Sequence, residues 1–169
     1  NGGGMYCSSS NPTLTNVTFS GNTASLDGGG MYLNESDPTQ INVTISGNTC
    51  TQNGGGVFMV NNSNPSFVNS ILWNDSPQEI YLTGASDTIT VSYSDVQDSI
   101  ITNDNGTVIW GDGNLDTDPR FVDAENDNYN LLASSQLINA GDPATFDSDG
   151  SRADMGAYPY LNSYSGPTW

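Results

Sequence analysis

The sequence has no Lys and no His, and its only basic residues are Arg120 and Arg152. Against them stand 19 Asp and Glu, giving a formal net charge of −17. A nucleic-acid-binding protein needs a basic face to displace phosphate counterions, and none can be assembled here. Docking to anionic lipid is disfavoured for the same reason. Without His there is no imidazole base and no Ser–His arrangement. No apolar run approaches the roughly 20 residues of a membrane span, and no signal-peptide pattern is visible. The only two cysteines, Cys7 and Cys50, lack metal-site spacing. Two readings stay open for them: a bond between coils in an oxidising compartment, or two separate buried thiols. The charge leaves divalent cations, neutral glycans and basic proteins as partners, or serves solubility alone.

Apolar residues are also scarce, at 34%. With 19 Gly and abundant Asn, Ser and Thr, such a composition can mean disorder. Here, however, the apolar residues recur at fixed places. Gly triplets start at Gly2, Gly28 and Gly54, a constant period of 26 that the chain keeps from position 2 to position 79. Tyr6, Tyr32 and Phe58 keep the same interval, as do Phe19, Ile45 and Ile71, and Asn22, Asn48 and Asn74. Between the triplets run short alternating segments such as Ile41, Val43 and Ile45, bounded by Gly, Asn, Ser and Pro. These are strand signals, and no long helical periodicity competes with them.

Short strands in a repeat of this length predict an all-β chain, a right-handed parallel β-helix of about four to five coils. Stacked coils place like residues over one another about 4.8 Å apart. The expected core columns are Met5, Met31 and Val57, and Phe19, Ile45 and Ile71. Asn22, Asn48 and Asn74 are expected to form a hydrogen-bonded ladder, since Asn tolerates left-handed turns and its amide can bond the next copy. Tyr6, Tyr32 and Phe58 form either an outward strip for sugar stacking or a column packed under a loop. Thr18, Thr44 and Ser70 are expected to make a hydroxyl column.

The strict period fades after position 79. Ile80–Leu82 and Ile89–Tyr93 read as strands of a fourth coil, and Val108–Trp110 as the start of a fifth. Residues 1–110 are therefore assigned to coils and 111–169 to an irregular Asp/Asn-rich cap. A solenoid end exposes apolar columns and open strand edges. Phe121, Leu131, Leu132, Leu137 and Ile138 are available to cover the last coil, and Arg152 is expected to pair with Asp149 or Asp154. The first residues already lie inside a repeat, so the natural chain is expected to begin upstream, or its first coil to stack on another chain.

The alternation of GGGM at Gly2–Met5, GGGM at Gly28–Met31 and GGGV at Gly54–Val57 with FSGN, ISGN and ILWN resembles the repeats of chlamydial polymorphic outer-membrane proteins. It also resembles bacterial β-helix proteins of the pectate-lyase-like superfamily. VSYSDVQ at Val91–Gln97, GNLDTDPRFVD at Gly113–Asp123, INAGDP at Ile138–Pro143 and DSDGSRADMGAY at Asp147–Tyr158 look like the terminal region of large bacterial surface β-helices. The resemblance implies an extracellular or cell-surface location, and Gly166–Trp169 would suit a module boundary.

Enzymes of that superfamily use Lys or Arg as base with Asp-bound calcium; this chain has no Lys, and both Arg fall in the tail. Hydrolases on the fold use clustered carboxylates. The acids of the regular coils, Asp27, Glu35, Asp37, Asp75 and Glu79, occupy different repeat positions, so no pair is assured. Calcium is a better chemical candidate, since hard cations collect oxygen ligands. The residues for it are Asp112, Asn114, Asp116 and Asp118, and separately Asp147, Asp149 and Asp154. The competing reading is turn chemistry without metal. Asn16, Asn34, Asn42, Asn61, Asn74 and Asn105 begin N-x-S/T sequons. The sequence thus points to a non-catalytic structural or adhesive module that assembles with itself, end to end or laterally, or with adjacent β-helix modules. The alternative is a carbohydrate-binding or carbohydrate-cleaving β-helix.

Overall fold

A computed structural model describes residues 1–97, 101–103 and 106–161. The sequon at Asn105 and the segment 166–169 lie outside the described residues. The first coil is built from β1 (Met5–Ser8), β2 (Thr13–Thr15), β3 (Thr18–Ser20) and β4 (Thr23–Ala24). The second repeats it as β5 (Met31–Asn34), β6 (Thr39–Ile41), β7 (Thr44–Ser46) and β8 (Thr49–Cys50). The third has β9 (Val57–Val60), β10 (Ser66–Val68) and β11 (Ile71–Trp73), and the fourth β12 (Ile80–Leu82), β13 (Thr88–Ser92) and β14 (Asp95–Val96). A fifth turn begins with β15 (Ile101–Asn103) and β16 (Thr107–Trp110). The tail adds an antiparallel pair, β17 (Phe121–Asp123) and β18 (Asn128–Leu131).

Like strands stack into three parallel sheets: β1-β5-β9-β12-β15, β2-β6-β10-β13-β16 and β3-β7-β11-β14. Side chains alternate in and out of each strand, and the inward ones form files along the rod. Met5, Met31, Val57 and Ile80 make one file, and Cys7, Leu33, Met59 and Leu82 another. Each fully buried side chain of this size contributes roughly 1.5–3 kcal/mol. The glycine corners are dictated by the backbone. Gly2, Gly28 and Gly54 have φ of 68°, 68° and 67°. A Cβ on Gly30 would lie 2.7 Å from the Gly56 carbonyl oxygen of the next coil. Only glycine meets both demands at these corners.

The register of the first two coils does not persist through the third. Val57 still sits on Met31, as the period requires. Ser66, however, sits on Thr39 rather than Gln40, and Ile71 on Thr44 rather than Ile45. Both strands are displaced by one residue. The extra residue enters at the corner after β9, where Asn61 and Asn62 are both left-handed, φ 57° and 64°. The corresponding corner of the second coil has only Glu35, φ 51°. One residue of slip exchanges the two faces of a strand. The expected file of Phe19, Ile45 and Ile71 is therefore corrected: Leu72 follows Ile45 into the core, and Val96 follows Leu72. Ile71 faces outward, as does Trp73 over Ser46. The hydroxyl column fails for the same reason, because Thr44 is followed by Ile71 rather than Ser70.

The tail corrects a second expectation. Residues 112–117 continue onto the fourth coil, with Val96 N bonded to Leu115 O, but beyond them the tail lies along the outer face of the third sheet. Ile71 packs with Leu131, Leu137 and Met155, flanked by Trp73, Phe121 and Ile138, while Leu132 stays exposed. Hydrogen bonds run from Ala157 N to Thr44 Oγ1 (3.0 Å), Gly156 N to Asn69 O (2.8 Å) and Asp142 N to Asn69 Oδ1 (2.6 Å). The slip in the third coil creates an apolar outer patch, and burying it gives the tail its docking face. Arg152, expected to meet a carboxylate, donates instead to the carbonyls of Gly141 (2.6 Å) and Ala140 (3.3 Å). It thereby staples the tail to itself.

The shifted register makes a testable distinction. Leu72→Ala should cost about 2–5 kcal/mol of unfolding free energy, the range for opening a cavity in a core file. Ile71→Ser should chiefly release the tail, read as proteolytic cleavage beyond Gly111 with the coils still protected. Denaturant titration and limited proteolysis check the two outcomes.

Candidate functional site

The polar side chains of the rod are organised as ladders in which a residue of one coil captures the backbone of the coil before it. Asn48 Oδ1 accepts from the N–H and Nδ2 of Asn22 at 3.0 and 2.9 Å. Asp75 Oδ1 accepts in the same way from Asn48, at 2.6 and 2.8 Å. The expected third member, Asn74, is displaced by the slip; it sits exposed with φ 62°, its N–H bonded to Gln97 Oε1. Two serine ladders are not evident in the sequence pattern. One runs Ser10, Ser36, Ser63 and ends on Asp87 Oδ1, which accepts from Ser63 N at 2.9 Å. The other links Val43 N, Ser70, Ser94 and ends on Asn114 Oδ1, at 3.1 Å from Ser94 N. The signal for both is a serine just beyond a strand, with its hydroxyl bonded back to a local carbonyl.

Asn114 thus ends a ladder. Its Nδ2 is committed as well, to the carbonyls of Val91 and Gly111. Asp112 gives its carbonyl to Tyr93 N, Asp116 is exposed, and Asp118 Oδ1 accepts from Arg120 N at 2.9 Å. In the second calcium candidate, Asp147 Oδ2 accepts from Asp154 N (3.0 Å) and Asp149 Oδ1 from Ser151 N (2.9 Å). Asp154 is buried and bonded to the N–H groups of Asn139 and Tyr160. Among the described residues, no three acids or thiols converge where they could hold a metal ion. Asn114, Asp118, Asp147, Asp149 and Asp154 each already accept a backbone N–H, which is the turn chemistry that competes with a metal role. Cys7 and Cys50 are free thiols; Cys7 lies in a core file, whereas Cys50 bonds the Asn53 carbonyl.

The coils do bring together one carboxylate pair, which the sequence left unassigned. Glu79 Oε1 accepts from Asp75 N at 2.9 Å, and both residues are buried. Burial, and then the charge of Asp75, push the Glu79 carboxyl far above its usual range, so the protonated form is favoured. Burial raises Asp75 too, offset in part by the hydrogen bonds from Glu79 and Asn48. Asp95 lies beneath the tail, its Oδ1 bonded to Thr117 N at 3.0 Å. Burial moves it up to about 7, with the charges of Asp116 and Asp118 adding to the effect. All three carboxyl groups are buried.

Two features do face outward. The first is an aromatic ladder on the outer side of the first sheet. Tyr6, Tyr32, Phe58 and also Tyr81 stack with ring centroids 5.0, 5.0 and 5.8 Å apart and nearly parallel planes. Tyr81 is hidden in the sequence because the third coil closes three residues short of the period, placing Ile80 on Val57 where the strict period would place Thr83. Exposure falls from 55% at Tyr6 to 6% at Phe58, so the middle of the strip is covered and its first ring is open. The second is a groove of about 490 Å³ between the third sheet and the tail. Its walls include Trp73, Asn74, Asp118, Arg120, Phe121 and Leu132. Arg120 is held in a left-handed conformation (φ 56°) by Asp118 Oδ1 on its N–H and Leu132 N on its carbonyl. Its Nη1 is tied to Ser134 Oγ at 3.1 Å. Non-glycine residues seldom hold this conformation unless their surroundings enforce it.

Three stacked parallel sheets with ladders at the corners define a parallel β-helix. Residues 1–122 match the family model described as right handed beta helix region, and the chain belongs to that family. No curated protein and no solved structure matches the chain.

The buried acids fix the sign of the pH dependence. A carboxyl whose folded pKa exceeds its unfolded value near 4 stabilises the fold fully below pH 4 and ceases to as pH rises through the folded value. For Asp95 that window runs from about 4 up to about 7, and Glu79 extends the loss to higher pH. The melting temperature should therefore fall from pH 5 to pH 8, and Asp95→Asn should flatten that slope; calorimetry across the range measures both. Chelator or added calcium should leave the midpoint unchanged, since a cation bound by the folded form would raise it.

Proposed function

We propose that the chain is a non-catalytic structural and adhesive module of a secreted or surface-anchored bacterial protein. The observation that supports it most directly is the placement of the strongly perturbed carboxyl groups. Asp75, Glu79 and Asp95 are all buried, two within a corner ladder and one beneath the tail. Catalytic acids and bases are shifted where substrate can reach them; here the shifts follow from holding the coils and the tail together. The acidic surface keeps such a rod soluble and directs it toward neutral or basic partners.

Assembly with a second copy or a neighbouring β-helix module fits the last coil, where Ile109 and Trp110 are 47% and 44% exposed on the outermost strand of the second sheet. An apolar surface at an edge strand is suited to a further coil. A second reading, a carbohydrate-binding β-helix, draws on the groove at Trp73 and Arg120.

Incubation with acidic and neutral polysaccharides should release no new reducing ends and no unsaturated products. Turnover abolished by Asp75→Asn or Glu79→Gln in a folded protein would overturn the non-catalytic reading. Native mass spectrometry over a concentration series should show self-association weakened by Trp110→Ser; a strictly monomeric chain at all concentrations would exclude self-assembly.

A further inference from the structure

The groove beside the third sheet exists only because two separate features meet. The slip in the third coil turns Trp73 outward onto the sheet face, over Ser46. The tail then brings Phe121, Leu132, Asp118 and Arg120 to the opposite side. At about 490 Å³ the space lies within the range of small-ligand sites, about 300–1,000 Å³. Its lining is mixed, with Ser46, Asn74, Asp118 and Arg120 beside Trp73, Phe121 and Leu132.

Charge narrows the occupant. Arg120 and Asp118 line the same groove and offset each other locally. An anionic ligand would meet Asp118 and the field of a chain carrying −17. A cationic ligand would meet the Arg120 guanidinium. A neutral ligand bearing both donors and acceptors gains from each: the guanidinium donates, the carboxylate accepts and the amide of Asn74 can do both. Trp73 and Phe121 supply flat apolar surface on which the C–H face of a ring can lie. The Arg120 backbone is fixed on both sides, by Asp118 Oδ1 and by Leu132 N, so its position costs little further ordering when a ligand arrives.

We propose that this groove binds a neutral saccharide, with a sugar ring on Trp73 and its hydroxyls held by Arg120, Asp118 and Asn74. This rests on the carbohydrate-binding reading above and names its surface and ligand class, without requiring catalysis. Binding by a groove on the side of the rod leaves the coil ends free for assembly.

The test is calorimetric titration of the intact chain with short neutral gluco-, xylo- and manno-oligosaccharides, with oligogalacturonate as the acidic arm. At least one neutral series should bind. Trp73→Ala and, independently, Arg120→Gln should each weaken it by roughly tenfold or more, as truncation of a central contact does. Arg120 is exposed, so its variant reports on the site even if Trp73→Ala loosens the tail; melting curves show which variants stay folded. No neutral saccharide binding, binding confined to oligogalacturonate, or binding unchanged in a folded Arg120→Gln chain overturns the proposal. Loss in Tyr6→Ala with retention in Arg120→Gln overturns it too, by moving the site to the aromatic ladder. Product analysis of the same mixtures separates the two readings: cleavage with binding intact would defeat the non-catalytic assignment while leaving the groove's ligand in place.

Discussion

The fold depends on vertical register, meaning which residue of one coil lies on which residue of the next. A chain with 34% apolar residues cannot enclose a broad core. It gains one from files of side chains only as wide as a coil, and those files exist only while the coils stay aligned. Backbone hydrogen bonds between parallel strands hold neighbours together but tolerate a shift by one residue. The facing of the side chains does not, because a shift of one exchanges core for surface. Register is therefore fixed at the corners, where Asn48, Asp75, Ser63 and Ser94 each take hold of an N–H in the preceding coil.

The third coil shows what happens when that alignment is changed locally. One added residue at Asn61–Asn62 leaves the first sheet in its old register and moves the second and third sheets by one. The core accommodates this because Leu72 is as suitable a core residue as Ile71. The outer face does not accommodate it alone: Ile71 and Trp73 emerge where Thr44 and Ser46 stood in the second coil. The tail answers by covering Ile71 with Leu131, Leu137 and Met155, and it leaves Trp73 as a wall of the groove. The same insertion thus accounts for the displaced ladder residue, the lateral tail and the groove.

Buried acids follow a related logic. Asp87 ends its ladder with both oxygens bonded, to Ser63 N on one side and to Gly84 N and Thr83 Oγ1 on the other. Asp75, Glu79 and Asp95 each retain a buried oxygen without a donor. Burial removes water from these three groups without enough donors to replace it, so the protonated form is favoured. Their titration belongs to the integrity of the rod.

By itself the sequence determined the class of fold, the stacking of the first two coils and the two longer strands of the fourth. A constant repeat with Gly corners and alternating strands leaves little else to form, and the information is local. It also placed the Met5, Met31 and Val57 file and the Tyr6, Tyr32 and Phe58 stack correctly, both in the sheet that keeps the register. Tertiary structure alone decided the position of Ile71 and Asn74, the meeting of Asp75 with Glu79, and the path of the tail. A one-residue insertion weighs almost nothing in a sequence pattern, yet it turns every later side chain of those strands to the opposite face. The groove is the furthest from the sequence, because Trp73 and Asn74 come from the third coil and Asp118, Arg120, Phe121 and Leu132 from the tail; only the docking of the tail makes them neighbours.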